Sequence, residues 1–374
     1  MDDSGGAGIK GRSDASGSRA GPPLYAAIDL GTNNCRLLIA APSARGFRIV
    51  DAFSRIVRLG EGLSQTGRLG EAAMERATLA LEICADKIAR RGVSQVRAVA
   101  TQACRAAANG ADFMAEVTRR TGLSLDIITP QEEARLAVAG CIDLVDPNAE
   151  AALILDVGGG STELSWLDLS GGQGEAPTAP RRAPIAAWCS IPIGVVTLAE
   201  RFPEGRDSPA WRRDMVQAVK AQVQAFADAD HLRPRFAGGH GHIVGTSGAI
   251  TSLAGIHLNL TRYERRRVDG LWMTRAECDD AANRLAAMSL AERARQPCIG
   301  PDRADLVVAG AAILQAVQEL WPSDRMRVAD RGLREGLLYS LISQHRGGRR
   351  DHGRRGRRAP TRKTGAGPGS IVSS

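Results

Sequence analysis

Two short stretches of this chain put a carboxylate beside a glycine turn. Asp29 closes the apolar run 26–28 and is followed by Leu30-Gly31-Thr32-Asn33-Asn34. Asp156 closes the run 153–155 and is followed by Val157-Gly158-Gly159-Gly160-Ser161-Thr162-Glu163. More apolar sequence comes after each turn, at Leu37–Ala40 and at Leu164–Leu167. Each stretch therefore reads as a strand, a tight turn and a second strand with an Asp at the mouth. Glycine lets a backbone approach a ligand, and successive turn N–H groups form a concavity suited to phosphate oxygens. An Asp at that place suits a divalent cation, directly or through water. Two such turns facing one another would clamp a Mg²⁺–phosphate group from both sides. The first turn by itself is also an ordinary hairpin turn. The second carries three consecutive glycines, more than a plain hairpin needs.

Three further stretches suit the same chemistry. Gln131-Glu132-Glu133-Ala134-Arg135 follows Thr129-Pro130, a cap and a first-turn proline, so both glutamates sit at a helix start. They serve there as dipole compensation, or one of them serves as a base that deprotonates water in line with a leaving phosphate. Arg105 stands just past the apolar strand 96–100, and its rigid donors match phosphate, although a surface Arg on a helix has the same local sequence. His242-Ile243-Val244-Gly245-Thr246-Ser247-Gly248 reads as strand, glycine turn and helix N-terminus, which makes Thr246 and Ser247 a candidate anion site. There is no G-x-x-x-x-G-K-[ST] stretch, no G-x-S-x-G and no H-E-x-x-H, so P-loop, α/β-hydrolase and zincin chemistry are set aside.

The elements that must carry these residues alternate between strand and helix. Strands are expected near 25–29, 35–40, 48–54, 96–100 and 125–128, with helices at 71–90 and 131–144. After a polar link at 146–150 the pattern restarts, with strands near 151–156, 163–167, 185–191, 242–245 and 326–328. Helices are expected at 194–201, 209–227, 248–259, 274–288, 302–320 and 333–342, with a Gly/Pro-rich loop at 171–182. The repeat of strand hairpin followed by mixed units, about one small domain apart, points to two related α/β lobes. Residues 23–148 and 149–342 are their expected extents, with the ligand between them.

Of the 49 basic and 41 acidic residues, nine basic and one acidic lie in 346–374, so the rest is formally neutral. That Arg/Gly-rich end (343–374) and the Gly/Ser/Asp-rich residues 1–22 are expected to be disordered. The basic end would bind a polyanion, or simply be solvated. Seven cysteines show no C-x-x-C pair and no zinc spacing, which suits buried free thiols in a reducing compartment. No apolar run approaches the roughly 18–20 residues that span a bilayer, and the start of the chain lacks a signal-peptide core, so a cytoplasmic protein without a membrane partner is expected.

Taken in order, Asp29-Leu30-Gly31-Thr32-Asn33, Ala100-Thr101 with Arg105, Glu132-Glu133-Ala134-Arg135, Asp156 to Glu163 and Gly245-Thr246-Ser247-Gly248 resemble the exopolyphosphatases and guanosine pentaphosphate phosphatases. The resemblance runs from about Tyr25 to Ile342. It implies the sugar kinase, actin and heat-shock ATPase superfamily, hence a ribonuclease-H-like (actin-like) fold in each lobe with a ligand cleft between. It implies Glu133 as catalytic base. It implies Asp156 and Glu163 as the Mg²⁺- and water-positioning acids, with Asp29 assisting. Gly31, Thr32, Asn33, Gly158, Gly159, Gly160 and Ser161 would line the phosphate site, and Arg105 would contact phosphate. Gln102 departs from the small residue more usual there. Longer members carry a further helical domain, and dimers are common among them, so a homodimer is an expectation. The implied activity is Mg²⁺-dependent release of terminal phosphate from polyphosphate or guanosine pentaphosphate. A kinase of the same superfamily and a non-catalytic sensor of guanosine tetra- or pentaphosphate are the alternatives.

Overall fold

The computed structural model describes residues 22–44, 46–171, 183–204 and 209–355. The expected disorder of 1–21 and 356–374, and most of the loop 171–182, lie outside the described residues.

Eleven strands form two sheets among the described residues. The first sheet holds β1 (Tyr25–Leu30), β2 (Asn34–Ser43), β3 (Gly46–Ile56), β4 (Gln95–Ala100) and β5 (Leu125–Ile127) in the order β3-β2-β1-β4-β5. The second holds β6 (Ala151–Val157), β7 (Thr162–Asp168), β8 (Ile185–Ile191), β9 (Gly241–Thr246), β10 (Trp272–Thr274) and β11 (Arg325–Ala329) in the order β10-β11-β9-β6-β7-β8. In each sheet an antiparallel three-strand meander continues into parallel strands through its first member, β1 beside β4 and β6 beside β9. The repeat seen in the sequence is thus a repeat of topology. β8-β7-β6-β9-β11 matches β3-β2-β1-β4-β5, with β10 added antiparallel at one edge.

The central strands are buried on both faces, which is why they read as unbroken apolar runs rather than as alternating ones. In the first sheet Ala26, Ile28, Leu37 and Ile39 face the helix Glu71–Arg91 through Ala77, Leu81 and Cys84. The opposite face, Tyr25, Ala27, Leu38, Ala40 and Val99, packs on Leu136 and on Leu333, Leu337, Leu338 and Leu341 of the last helix (Leu333–Arg355). Leu153, Leu155, Leu164 and Trp166 of the second sheet meet Met215, Val216 and Val219 and the helix Val307–Leu320. Its other face, Ala152, Ile154, Leu167 and Val244, meets Val138 and Cys141.

One element therefore touches both sheets. The helix Pro130–Cys141 gives Leu136 to the first core and Val138 and Cys141 to the second. The last helix crosses it with backbones in contact. A Cβ on Gly140 would lie 2.0 Å from the Gly332 carbonyl oxygen, and one on Gly336 would lie 2.1 Å from that of Leu136. Glycine at both positions is what permits the crossing.

Three expectations need correction. The last helix was grouped with 149–342, but its apolar face completes the first sheet's core. It continues to Arg355, so 343–355 is helical rather than disordered. The helix expected from 302 begins at Val307, and 302–306 are turns. The helix Gly110–Thr121, with Phe113, Met114 and Val117 buried at helical spacing, and the edge strand β10 were not anticipated. Among the described residues no helix is long and apolar enough to cross a membrane. All seven cysteines are free, six of them buried and Cys189 half-buried.

Candidate active site

Both Asp-glycine turns open into one cavity of about 580 Å³ between the lobes. Parallel pairing of β1 with β4 and of β6 with β9 puts the carboxyl ends of all four strands at the same crevice, the usual place for a ligand on open α/β sheets. Asp29, Gly31, Thr32, Asn33, Glu133, Asp156, Gly158, Gly159, Gly160, Ser161, Glu163, Thr246 and Ser247 all line it. Arg105 alone among the sequence candidates is outside that lining.

The turns touch across the crevice. A Cβ on Gly159 would lie 2.9 Å from Thr32 Cβ and 3.1 Å from the Asn33 nitrogen. One on Gly160 would meet Gln102 Oε1 at 1.9 Å and Thr32 Oγ1 at 2.9 Å. Gln102, the departure noted in the sequence, accepts a hydrogen bond from Thr32 Oγ1 at 3.2 Å and stands against Gly160. It is a wall shared by both turns.

Carbonyl oxygens of both turns are tied down from behind. Thr32 O accepts from Gly60 N, and Asn33 O from Val57 N and Arg58 N. Gly158 O accepts from Val195 N and Gly159 O from Val196 N, at the start of the helix Val195–Arg201. Among the described residues, the N–H groups of Thr32, Asn33, Gly159 and Gly160 donate to no carbonyl and no side chain. Peptide planes fixed by their oxygens, with free N–H groups in a crevice, make a preorganised anion cradle.

Four carboxylates stand around it. Asp29, Glu133 and Glu163 are buried and Asp156 is nearly so. Burial pushes Glu133 up to about 9, with repulsion from Glu163 next and smaller pushes from Asp156 and Asp29. Burial likewise pushes Asp156 up to about 8, helped by Glu163 and Asp29. Asp29 and Glu163 are raised as well, again chiefly by burial. Ser161 Oγ and Ser190 Oγ both donate to Glu163 Oε1 at 2.8 Å and favour its ionised form. All four line the same cavity.

Glu133 owes its place to the helix that touches both sheets. Thr129 Oγ1 accepts from Glu132 N and Pro130 fills the first turn, as the sequence suggests, so Glu133 projects from the first turn into the crevice. Glu132 points elsewhere and pairs with Arg97. Arg105 pairs with Glu133 (Nη1 to Oε2, 3.2 Å) and donates to the Ile128 carbonyl at 2.7 Å. Through that nitrogen it holds the carboxylate.

Thr246 and Ser247 line the crevice with their hydroxyls already engaged. Thr246 Oγ1 donates to the Arg331 carbonyl at 2.6 Å. Ser247, at φ 141°, caps the helix Gly248–His257 by accepting from Ala249 N and Ile250 N. Two N–H groups of this helix start, those of Ala249 and Ile250, are answered by the Ser247 hydroxyl.

Among the described residues no group of three or more His, Cys, Asp or Glu is arranged to cage a metal ion. Mg²⁺ seldom uses such a cage. It keeps waters and takes one or two carboxylates together with substrate phosphates. The donor set fits that habit. Asp29 and Asp156 are hard oxygen ligands whose repulsion a cation would relieve, and Asn33 Oδ1 and Asn34 Oδ1 are buried acceptors without a hydrogen bond.

Four arginines line the crevice, Arg36, Arg303, Arg331 and Arg334, and the sequence assigns none of them to the site. Arg36 left a signal, a cation inside the otherwise apolar strand β2.

The sequence signature of the Ppx/GppA phosphatase family matches residues 38–345. A protein named guanosine-5'-triphosphate,3'-diphosphate pyrophosphatase, from Aeromonas hydrophila subsp. hydrophila, is 30% identical over 324 residues, which is 86% of this chain and 60% of that protein. The chain thus spans about three-fifths of the length of this relative. A crystal structure of an exopolyphosphatase-like protein superimposes with a TM-score of 0.74 at 29% identity, covering 85% of this chain and 97% of the other. The Ppx/GppA family member of Aquifex aeolicus superimposes with a TM-score of 0.68 at 29% identity, covering 86% and 98%.

Proposed function

The chain belongs to the Ppx/GppA phosphatase family, and we propose that it hydrolyses phosphoanhydrides with Mg²⁺, releasing the terminal phosphate of inorganic polyphosphate or of guanosine pentaphosphate. The observation that carries this reading is the pair of touching turns with four free N–H groups beside a buried glutamate.

The terminal phosphoryl group sits between the turns, with its oxygens on the N–H groups of Thr32, Asn33, Gly159 and Gly160. Glu133, in the ionised form that Arg105 favours, accepts a proton from a water as the water oxygen bonds to the terminal phosphorus. The bridging P–O bond breaks in line, and the shortened anhydride leaves with that oxygen. Positioning and charge stabilisation supply most of the rate in such a transfer. Arg105 fixes the direction of Glu133 and favours its ionised form. Glu163, held by two serines, orients the water from the other side. Asp29 and Asp156 would hold Mg²⁺, with the Asn33 amide oxygen within its shell. The ion supplies neutralisation of the charge that builds on the phosphoryl oxygens.

Phosphate release by the purified protein from polyphosphate, guanosine pentaphosphate and ATP, side by side with Mg²⁺ and with chelator, tests the reading. Release from polyphosphate or the pentaphosphate well above that from ATP, lost with chelator, is expected. No release from either, or transfer to a hydroxyl acceptor in place of release, would overturn it.

A further inference from the structure

A loop of the first lobe stands behind the first glycine turn. Residues 57–62 give that turn the N–H groups of Val57, Arg58 and Gly60, which hold the Asn33 and Thr32 carbonyls. Gly60 lies flat against the turn, since a Cβ there would lie 2.2 Å from Thr32 Cγ2. The loop does not keep its shape by local preference. Arg58 is at φ 46°, unusual for a long side chain, and Gly62 is at φ 70°. Such a backbone persists where surrounding groups fix it. On one side the fixing group is Arg76 of the helix Glu71–Arg91, which donates through Nε to the Val57 carbonyl at 2.9 Å and pairs with Glu61.

On the other side the fixing groups belong to the second lobe. Arg58 reaches Asp305 and, at 3.1 Å, the Asp302 carbonyl. Glu200 crosses the same seam in the opposite direction. Its Oε1 accepts from Gly62 N at 3.0 Å and its Oε2 from Ser64 Oγ at 2.6 Å. In a chain rich in arginine, this half-buried carboxylate makes no ion pair among the described residues and gives both oxygens to neutral donors of the other lobe. The charge on the acceptor makes such bonds stronger than neutral ones. The helix that carries Glu200 matters as well. Val195–Arg201 begins with the Val195 and Val196 N–H groups that hold the Gly158 and Gly159 carbonyls of the second turn. One side chain therefore joins the support of one turn to the support of the other, without itself lining the cavity.

We infer that Glu200 is a positioning residue. It clips the loop behind the first turn to the helix behind the second, and sets the two glycine turns at the spacing one phosphoryl group needs before any substrate arrives. For its effect on turnover the inference rests on the hydrolytic reading, and for its effect on the free protein it rests on the two supports alone. Without the clip, the phosphate of the substrate must itself bring the turns into register, and that ordering costs affinity. Once bound, the phosphate bridges both turns, so the chemical step is nearly unchanged.

The test compares wild type, Glu200→Ala, Glu200→Gln and Ser64→Ala. Glu200→Ala should raise KM about tenfold for guanosine pentaphosphate, long-chain polyphosphate and tripolyphosphate alike, with kcat within about twofold. The Gln amide oxygen still accepts from Gly62 N, so Glu200→Gln should stay within about threefold of the wild-type KM. Ser64→Ala should raise KM about threefold in the wild type and add nothing in the Glu200→Ala background. Equal Ser64→Ala losses in both backgrounds, or a loss in kcat at unchanged KM, would overturn the clip. Amide hydrogen exchange of the ligand-free protein reads it without turnover. Glu200→Ala should speed exchange at Val57, Arg58 and Gly60, whose own bonds to the first turn it leaves in place, as well as at Gly62. Faster exchange at Gly62 alone, or at none of the four, would sink the inference. If the wild type releases no phosphate from any substrate, the hydrolytic reading fails, and the exchange rates alone still decide for or against the clip.

Discussion

The two glycine turns end equivalent strands of two sheets with the same order, yet they are built by different means. The first, Gly31-Thr32-Asn33, keeps side chains, and Gly31 has room for more. A Cβ there would lie 3.5 Å from the Asn34 carbonyl oxygen, ordinary contact. The second, Gly158-Gly159-Gly160, has no side chains and no room for any. A Cβ on Gly158 would lie 2.8 Å from the Ser161 oxygen, and the other two would strike the first turn or Gln102. The second turn is also wedged from behind, since a Cβ on Gly194 would lie 2.4 Å from the Gly159 carbon and oxygen. One lobe offers an adaptable turn with side-chain donors. The other offers a rigid backbone surface whose position is set by close packing.

That contrast is broken most severely at Gly194. Gly194→Ala forces the Gly159 peptide forward, and a displacement near 1 Å should cost about a hundredfold in kcat/KM. Gly31→Ala should cost less than about threefold, since no backbone atom needs to move. Steady-state phosphate release for both variants checks the ratio, and equal losses would erase the distinction. Next in size, Asp156→Asn should raise the Mg²⁺ concentration needed for half-maximal rate more than Asp29→Asn does. Asp29 already has Arg36 and Arg334 as neighbouring cations, whereas Arg36 is the one cation that acts appreciably on Asp156.

A third test uses the protons. Glu133 and Asp156 have folded pKa values raised above their unfolded ones, to about 9 and about 8. The folded protein therefore binds more protons than the unfolded chain between the two values, so their contribution to stability falls as pH rises through that window. The metal-free midpoint of thermal unfolding should drop from pH 6 to pH 9, and Mg²⁺ should restore more of it at pH 9 than at pH 6. Glu133→Gln should flatten the slope. A midpoint that rises over this range in the absence of metal would mean that the acids are not crowded as described. The smallest effect belongs to the strap between lobes. Arg58 holds Asp305 at 2.9 and 3.0 Å with both side chains about one-third exposed. Asp305→Asn should cost about 1 kcal/mol or less, a shift of no more than a few degrees in Tm.

Legibility in the sequence followed the range of the interactions. The hairpins, their Asp residues and the Thr129-Pro130 helix start depend on neighbours within a few positions, and the chain spells them out. The crossing of the last helix over Pro130–Cys141 depends on Gly140 and Gly336, about two hundred residues apart, and neither signals its partner. Arg105 has the right chemistry for phosphate, but its partner is decided by where the helix Pro130–Cys141 places Glu133, a tertiary matter. Thr246 and Ser247 fall in the crevice as expected, while their hydroxyls are engaged by Arg331 and by the helix start. Arg36, Arg303 and Arg334 of the crevice come from β2, the turns at 302–306 and the last helix, so no local window contains all three.

The central claim is that the cradle holds the terminal phosphate while Glu133 activates the water. Glu133→Gln separates those two tasks. It should lower kcat by about 10² to 10⁴ while polyphosphate or guanosine pentaphosphate still binds with near wild-type affinity in a direct titration. A variant that turns over at close to the wild-type rate would contradict the account.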